Sequence, residues 1–224
     1  MNSRASRERI LARLRSSGTE QTTVPVAPAP EAPSLDREDK IARMTELMGA
    51  IRTEVHVVAA DDWPNKLKEL AREKGWKRLL YGPDSPIGPD VEAAWTAGGE
   101  DHGDGLPKLI PYTEPVERFK ENLFGMDAGI TSCRGGVADT GAVVLWPTPE
   151  EPRLLSLVPP VHVAVLDADT IHDSLAEMMA VENWAGGMPT NALLISGPSK
   201  TADIEFTLVF GVHGPKEMVV LIRK

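Results

Sequence analysis

Cysteine is almost absent from this chain of 224 residues, which has a single one, Cys133. One thiol cannot form an internal disulfide. It also cannot hold an iron–sulfur cluster, which usually takes four thiolates, or a zinc site built on cysteine. Histidine pairs with the HxxxH or HExxH spacing are missing as well, so the sequence predicts no metal site and no cluster in this chain.

Long apolar segments and an excess of positive charge are also missing. No run of 18 apolar residues occurs, and the first residues, MNSRASRERI, lack the apolar centre of a secretory signal. Acidic residues outnumber basic ones by 33 to 24, which gives a net charge of −9. Because nucleic acids and anionic lipids bind to clustered positive charge, this composition argues against both partners. We therefore expect a cytoplasmic protein without a membrane span.

The chain divides into three segments. Residues 1–17 have apolar residues at helical spacing among several arginines, which predicts an N-terminal helix. This helix is either an ordinary surface helix or an arm that docks on a partner. Residues 18–35 are rich in proline and show little periodicity, as is typical of a linker. We expect one α/β domain over residues 36–224.

Short apolar segments alternate with amphipathic ones throughout residues 36–224. The segment VHVAVL at 161–166 predicts a buried strand, and further strands are predicted at 141–146 and 191–196. Helices are predicted over 169–181 and 202–210. This alternation is typical of a mostly parallel sheet with helices on both faces. In such sheets ligands bind at the carboxyl ends of the strands, on the βα loops.

The densest chemical signal is the segment 193–216. A strand ends at Ser196, a turn follows over 197–201, and Asp203 and Glu205 fall in the first turn of the predicted helix. The turn offers free N–H groups, hydroxyls and the cation of Lys200, which together suit a phosphate or a carboxylate. The two acidic residues would compete with an anion, and a capped turn without a ligand explains the same pattern.

Two further loops carry polar groups. Asp139-Thr140-Gly141 offers a carboxylate, a hydroxyl and an N–H in one turn, which is enough to orient a hydroxylated or carboxylated ligand. His162 enters a buried strand, where it is either a satisfied core residue or a general base paired with Asp139 or Asp203. Cys133 next to Arg134 is either a thiol of lowered pKa or a small core residue.

Three segments of the chain resemble one known family. They are ADTGAVVL at 138–145, PPVHVAVL at 159–166 and SGPSKTADIEFTLVFGVHGP at 196–215. They are similar to the LutC/YkgG family of LUD-domain lactate-utilization proteins. The resemblance implies an α/β fold like that of the NagB/RpiA/CoA-transferase group. It also implies a role as one component of a system that oxidises L-lactate to pyruvate, in which partner proteins carry the iron–sulfur clusters and this chain holds no covalent cofactor.

The resemblance also points to a set of ligand-binding residues without assigning catalytic ones. Those residues are Asp139, Thr140, Gly141, His162, Ser196, Gly197, Ser199, Thr201, Asp203, Glu205, His213 and Gly214. By the local pattern alone, His213 belongs to a structural turn. The ligand expected is a small carboxylate, a nucleotide or an electron carrier. Two alternatives stay open: a stand-alone enzyme like a CoA transferase or a cyclo-ligase, and a small-molecule sensor or scaffold without chemistry.

Overall fold

In the computed structural model, residues 3–16, 34–96, 105–114, 116–202 and 207–224 are described. Helix α1 (Ser3–Ser16) belongs to a first unit, Met1–Glu31, and every other element belongs to a second unit, Ala32–Lys224. Most of the proline-rich linker predicted at 18–35 lies outside the described residues. Among the described helices, none combines the length and the apolarity that crossing a membrane requires.

A six-stranded parallel sheet forms the centre of the second unit. Its strands are β1 (Thr53–Val58), β2 (Arg78–Tyr81), β3 (Lys108–Pro111), β4 (Ala128–Ser132), β7 (Val161–Asp167) and β12 (Glu217–Arg223). Their order in the sheet is β1-β12-β7-β4-β2-β3, and each neighbouring pair is parallel. The central strands are apolar on both faces because both faces are covered, which is the usual situation of parallel strands.

Helices cover both faces of this sheet, which confirms the predicted fold class. They are α2 (Arg37–Ala50), α3 (Trp63–Glu73), α4 (Gly88–Thr96), α5 (Val116–Leu123) and α6 (Leu154–Leu157). A further helix, α7 (Leu175–Val181), packs through Met178 against Val137 and Val144 instead. Alternate residues of β7 face opposite sides of the sheet. Val163 packs with Trp63 of α3 on one side, and Leu166 packs with Met44 of α2 on the other.

Local sequence sets the ends of these helices. The Asp36 carboxylate accepts a hydrogen bond from the Asp39 N–H at 2.8 Å and so caps the start of α2. After α3, Gly75 adopts a left-handed φ of +66°, which a residue with a side chain rarely adopts.

A second, smaller sheet packs beside α2 and corrects part of the sequence-based topology. Its strands are β5 (Gly135–Val137), β6 (Ala142–Leu145), β8 (Ile171–His172) and β9 (Leu193–Ile195), in the order β8-β5-β6-β9. Strand β6 runs antiparallel to both neighbours. The strands predicted at 141–146 and 191–196 therefore exist, but they belong to this sheet and not to the parallel one.

Two predicted helices are wrong at their positions. In place of a helix over 202–210, β10 (Lys200–Ala202) and β11 (Leu208–Phe210) form an antiparallel pair, in keeping with the β-branched and aromatic residues Thr201, Val209 and Phe210. In place of a helix from residue 169, a 3-10 turn and β8 precede α7. Helix α7 starts only where the Ser174 hydroxyl accepts from the Glu177 N–H at 3.2 Å.

Candidate functional site

The strand order contains one reversal, and it lies between β2 and β4. The chain passes from β2 to β3 on one side of β2, whereas β4 lies on its other side. At such a switch point the loops leave the sheet in opposite directions, and a crevice opens at the carboxyl ends of the two strands. The loop over 82–87 after β2 and residues 133–134 after β4 meet at this place.

A cavity of about 240 Å³ lies in this crevice, and we call it the switch-point cavity. Its walls combine charged, hydroxyl, thiol and aromatic side chains. They are Pro86, Ser132, Cys133, Arg134, Trp146, Thr148 and Glu151. The lining residues come from three separate segments of the chain, and two of these supply the polar groups. A few polar groups that converge on one pocket are the usual composition of a small-molecule site.

Glu151 is the buried acid of the switch-point cavity, with 8% of its surface exposed. Its Oε1 accepts from the Ser132 N–H at 2.9 Å, and its Oε2 accepts a short hydrogen bond from the Ser132 hydroxyl. The Ser85 hydroxyl also bonds to this carboxyl group. Burial raises the pKa of Glu151 and outweighs these hydrogen bonds, which lower it. The group is therefore more easily protonated than an exposed glutamate, as acid–base groups of functional sites commonly are.

Hydrogen bonds to Thr148 hold the backbone around Glu151. The Thr148 N–H donates to the Glu151 carbonyl oxygen at 3.2 Å, and the Glu151 N–H donates to the Thr148 hydroxyl oxygen at 3.1 Å. The loop after β2 presses on the same segment, because a Cβ atom at Gly82 would collide with the Glu150 carbonyl oxygen. Backbone on two sides therefore fixes the position of Glu151.

Arg134 lines the same cavity and is held from two directions. Its Nε donates to Glu182 Oε2 at 2.7 Å, and its guanidinium carbon lies 5.4 Å from the centre of the Trp146 ring. Trp184 Nε1 donates to the same Glu182 oxygen at 3.1 Å. Within the described part of the chain, these contacts use Nε and leave the two Nη groups as donors for a ligand.

Cys133 does not behave as an activated thiol. Its burial, together with the charge of Glu151, raises the pKa of the thiol. The thiol of lowered pKa considered from the sequence is therefore wrong, because the neighbouring Arg134 is outweighed by burial and by the carboxylate. Among the described residues, no group of three or more His, Cys, Asp or Glu is placed to hold a metal ion.

A second cavity, of about 210 Å³, lies at the opposite edge of the parallel sheet, and we call it the amino-edge cavity. Its floor contains His162 and Met218, which pair with each other near the starts of β7 and β12. Leu157, at the end of α6, lies in the wall. Ser199 and Pro215 contribute from two loops, which a hydrogen bond from the Ser199 N–H to the Pro215 carbonyl joins at 2.9 Å.

His162 is the buried histidine of the amino-edge cavity, with 1% of its surface exposed. Its Nε2 and the Thr131 hydroxyl form a hydrogen bond of 2.9 Å. Burial lowers the pKa of His162 to about 4, so the imidazole is neutral at physiological pH.

Five of the residues that the sequence singled out line the amino-edge cavity. They are His162, Gly197, Ser199, His213 and Gly214. Ser196 lies beside it, and its carbonyl oxygen accepts a hydrogen bond from the Thr53 hydroxyl at 2.9 Å. Thr201 lies in β10 opposite Val209. Asp203 and Glu205 lie outside the described residues.

The turn at Asp139-Thr140-Gly141 lines neither cavity. Asp139 and Thr140 are exposed, and the Asp139 N–H donates to the Asp173 carbonyl oxygen at 3.0 Å. Gly141 adopts φ +60° against Leu47 of α2, where a Cβ atom would collide with the Leu47 side chain. Of the three segments that supply the ligand-binding residues implied by the resemblance, the structure thus brings together two.

The segment 196–201 also lies at a different edge of the sheet from the one expected. We expected the segment 196–201 at the carboxyl edge, but β9 belongs to the second sheet, and its continuation reaches the amino edge. Glu151, Ser132 and Ser85, which meet at the carboxyl edge, were not singled out from the sequence. The signal that finds them is the reversal of strand order, which is a property of the assembled sheet.

Comparison with known proteins adds the family. The model of the LUD domain matches residues 41–222. The "Uncharacterized protein NMB1437" of Neisseria meningitidis is 37% identical over 188 residues, covering 82% of this chain and 76% of that protein. "Lactate utilization protein C 1" of Bacillus mycoides is 28% identical over 192 residues, covering 84% and 80%. "Uncharacterized protein YkgG" of Escherichia coli is 42% identical over 98 residues, or 42% of each chain.

A solved structure is similar to this fold. The crystal structure of a DUF162 family protein from Deinococcus radiodurans matches with a TM-score of 0.56 and 20% identity, covering 85% of this chain and all of that one. That likeness supports the α/β architecture. The sequence match extends over most of the parallel sheet, the second sheet and both cavities, and the chain therefore belongs to the LUD domain family.

Proposed function

We propose that this protein takes part in lactate utilization, as a subunit of an L-lactate-oxidising system of the cytoplasm, and binds a small ligand in the switch-point cavity. The name of a Bacillus relative that aligns over 84% of this chain supports the role in lactate utilization. The observation that carries ligand binding is the buried carboxyl group of Glu151 facing an open cavity at the switch point of the sheet.

The chemistry of the switch-point cavity favours a small carboxylate. The two Nη groups of Arg134 match the two oxygens of a carboxylate, and Glu151 and Ser132 offer partners for a hydroxyl or oxo group beside it. The volume of about 240 Å³ is below the roughly 300–1,000 Å³ of sites for drug-sized ligands. A small carboxylate therefore suits this cavity better than a nucleotide.

The need for partners follows from the chemistry of the oxidation. Conversion of lactate to pyruvate releases two electrons and two protons. With one cysteine, this chain cannot carry an iron–sulfur cluster to accept the electrons. Iron–sulfur partner proteins are the proposed acceptors, and Glu151 is placed to take a proton from a ligand hydroxyl.

Growth of a deletion strain tests the role and the site separately. The deletion strain should fail to grow on L-lactate and grow normally on pyruvate, and the wild-type gene should restore growth. Glu151→Gln and Arg134→Gln should restore it poorly. Glu73→Gln, which changes an exposed carboxylate on α3, is the matched control and should restore growth fully.

The outcomes separate two failures. Normal growth of the deletion strain on L-lactate would refute the role in lactate utilization. Full restoration by both cavity variants would refute the switch-point cavity as the ligand site and leave the role standing.

One observation favours the alternative of a stand-alone transferase. Glu151 is a buried glutamate at a cavity, and CoA transferases attack with a glutamate. Incubation of the purified protein with acyl-CoA, followed by trapping with hydroxylamine, should then modify Glu151. Unmodified protein in the mass spectrum would exclude this alternative.

A further inference from the structure

We propose that the amino-edge cavity is a second ligand site, which takes a small, neutral, mainly apolar compound carrying a carbonyl or hydroxyl oxygen. The two cavities are separate spaces with different walls, so this site goes beyond the proposed function of the switch-point cavity. The inference rests on the walls, on the buried imidazole of His162 and on the hydrogen bonds that hold the loops.

The walls of the amino-edge cavity are mainly apolar. Leu157, Ile195, Pro215 and Met218 supply apolar surface. Among the described residues that line it, none is an aspartate, glutamate, lysine or arginine. An ion entering this space would lose water without gaining a counter-ion, which is costly, whereas an apolar molecule gains by the transfer.

His162 supplies the hydrogen bond that orients a ligand. Its Nε2 is bonded to the Thr131 hydroxyl, and within the described part of the chain no partner of Nδ1 is seen. The ring is buried among the cavity walls and neutral. Nδ1 can therefore donate to a carbonyl or accept from a hydroxyl, according to the tautomer that the Thr131 bond selects.

Hydrogen bonds hold the loops that form the walls of the amino-edge cavity, and so keep the cavity open. The Ser199 N–H donates to the Pro215 carbonyl oxygen, and the Ser199 carbonyl oxygen accepts from the Gly211 N–H, both at 2.9 Å. The Thr53 hydroxyl holds the Ser196 carbonyl oxygen at 2.9 Å. Collapse of the loops into the space would break these bonds. The space is therefore part of the fold, which is the condition for a preformed site.

A matched pair of probes tests the proposal on the full-length protein. 2-Naphthol is neutral at neutral pH, and 2-naphthoate has the same ring system with a negative charge. Calorimetry should show binding of 2-naphthol, and 2-naphthoate should bind at least about tenfold more weakly because of its desolvation.

Substitutions at Ser199, on the wall of the cavity, locate the binding. Ser199→Leu fills the space and should weaken 2-naphthol binding at least about tenfold, and Ser199→Ala should keep the affinity within about threefold. His162→Phe should weaken it as well, and thermal unfolding of each variant verifies that it folds. Glu151→Gln in the other cavity should leave 2-naphthol binding unchanged.

Three results would overturn the second site. These are no binding of 2-naphthol up to its solubility limit, equal binding of both probes, or full binding by Ser199→Leu. Each leaves the growth test of the proposed function untouched, so the two proposals fail separately.

Discussion

The two cavities lie at opposite edges of one parallel sheet and differ in charge. The switch-point cavity follows the end of β4 and contains Glu151 and Arg134. The amino-edge cavity lies at the start of β7, and the described residues that line it include no aspartate, glutamate, lysine or arginine. Each nevertheless contains a buried group whose charged form is disfavoured by burial. Burial raises the pKa of Glu151 and lowers the pKa of His162, because in both cases it disfavours the charged form.

The difference lies in what surrounds each group. Glu151 receives hydrogen bonds from Ser132 and Ser85, and a guanidinium lines the same cavity. His162 has Thr131 as its described partner, and the described lining residues include no aspartate, glutamate, lysine or arginine. One site can therefore stabilise an anion and exchange a proton, and the other can accommodate a neutral molecule. The following predictions test this contrast, from the largest expected effect to the smallest.

A charge placed in the amino-edge cavity should be the most damaging change. Met218→Lys buries an ammonium group without a partner, and we expect the free energy of unfolding to fall by about 3–5 kcal/mol. Met218→Leu, the control, should cost less than about 1.5 kcal/mol. Thr148→Lys at the exposed rim of the switch-point cavity should cost about 1 kcal/mol, mainly through its lost hydrogen bond. Urea unfolding measures all three, and equal losses for the two lysine variants would remove the contrast.

The buried neutral state of His162 should make stability fall in acid. The pKa of His162 is about 4 in the folded chain and 6.5 when unperturbed. The contribution of the neutral ring is therefore fully present above pH 6.5 and is lost as the pH falls towards 4, by about 3 kcal/mol in total. His162→Gln should lack this loss, and His213→Gln, which alters an exposed side chain, should keep it. Parallel curves of unfolding free energy against pH for wild type and His162→Gln would contradict the prediction.

Truncation of Glu151 should be costlier than its neutral replacement. Glu151→Ala leaves the N–H and hydroxyl of Ser132 without their acceptor and should cost about 1–3 kcal/mol. Glu151→Gln should cost less. Because the pKa of Glu151 is raised in the folded chain, the wild type loses stability relative to Glu151→Gln as the pH rises above 4.5. A difference that stays constant with pH would show that the carboxyl group is not perturbed.

Substitution of Arg134 should affect ligand binding more than stability. Its side chain is about half exposed, so loss of the pair with Glu182 should cost no more than about 1 kcal/mol. Arg134→Lys keeps the charge and loses the planar pair of donors, so affinity for L-lactate in the purified protein should fall about tenfold. Unchanged affinity in calorimetry would exclude Arg134 as the carboxylate partner.

The parallel sheet was predictable from the sequence because its strands are short, apolar and separated by amphipathic segments. The segment VHVAVL is buried on both faces, as the pattern indicates. The second sheet was not predictable in the same way. Strand β6 pairs with β9 about fifty residues further along the chain, and periodicity within either segment carries no information on that partner. The helix predicted over 202–210 was wrong for a related reason. Pairing with a neighbouring strand determines the conformation of this region, and the local pattern does not show that pairing.

The candidate sites show the same limit. The motif at 196–215 led to four residues of the amino-edge cavity, but the pattern could not tell at which edge of the sheet they lie. Glu151 meets Ser132, 19 residues away, only after β4 has taken its place beside β2. A glutamate followed by a proline has no special appearance in the sequence, so its role became visible in the assembled sheet.

The contact between Gly82 and Glu150 limits how the switch-point cavity can be altered. There is no room for even a methyl group between these two backbone segments, so the scaffold behind the acid cannot be widened or re-angled by substitution there. If the switch-point cavity binds the proposed ligand, changes in ligand preference must come from side chains that line its opening, such as Trp146 and Thr148. A mutant library for this protein should therefore vary the side chains at the opening of the cavity and keep Gly82 unchanged.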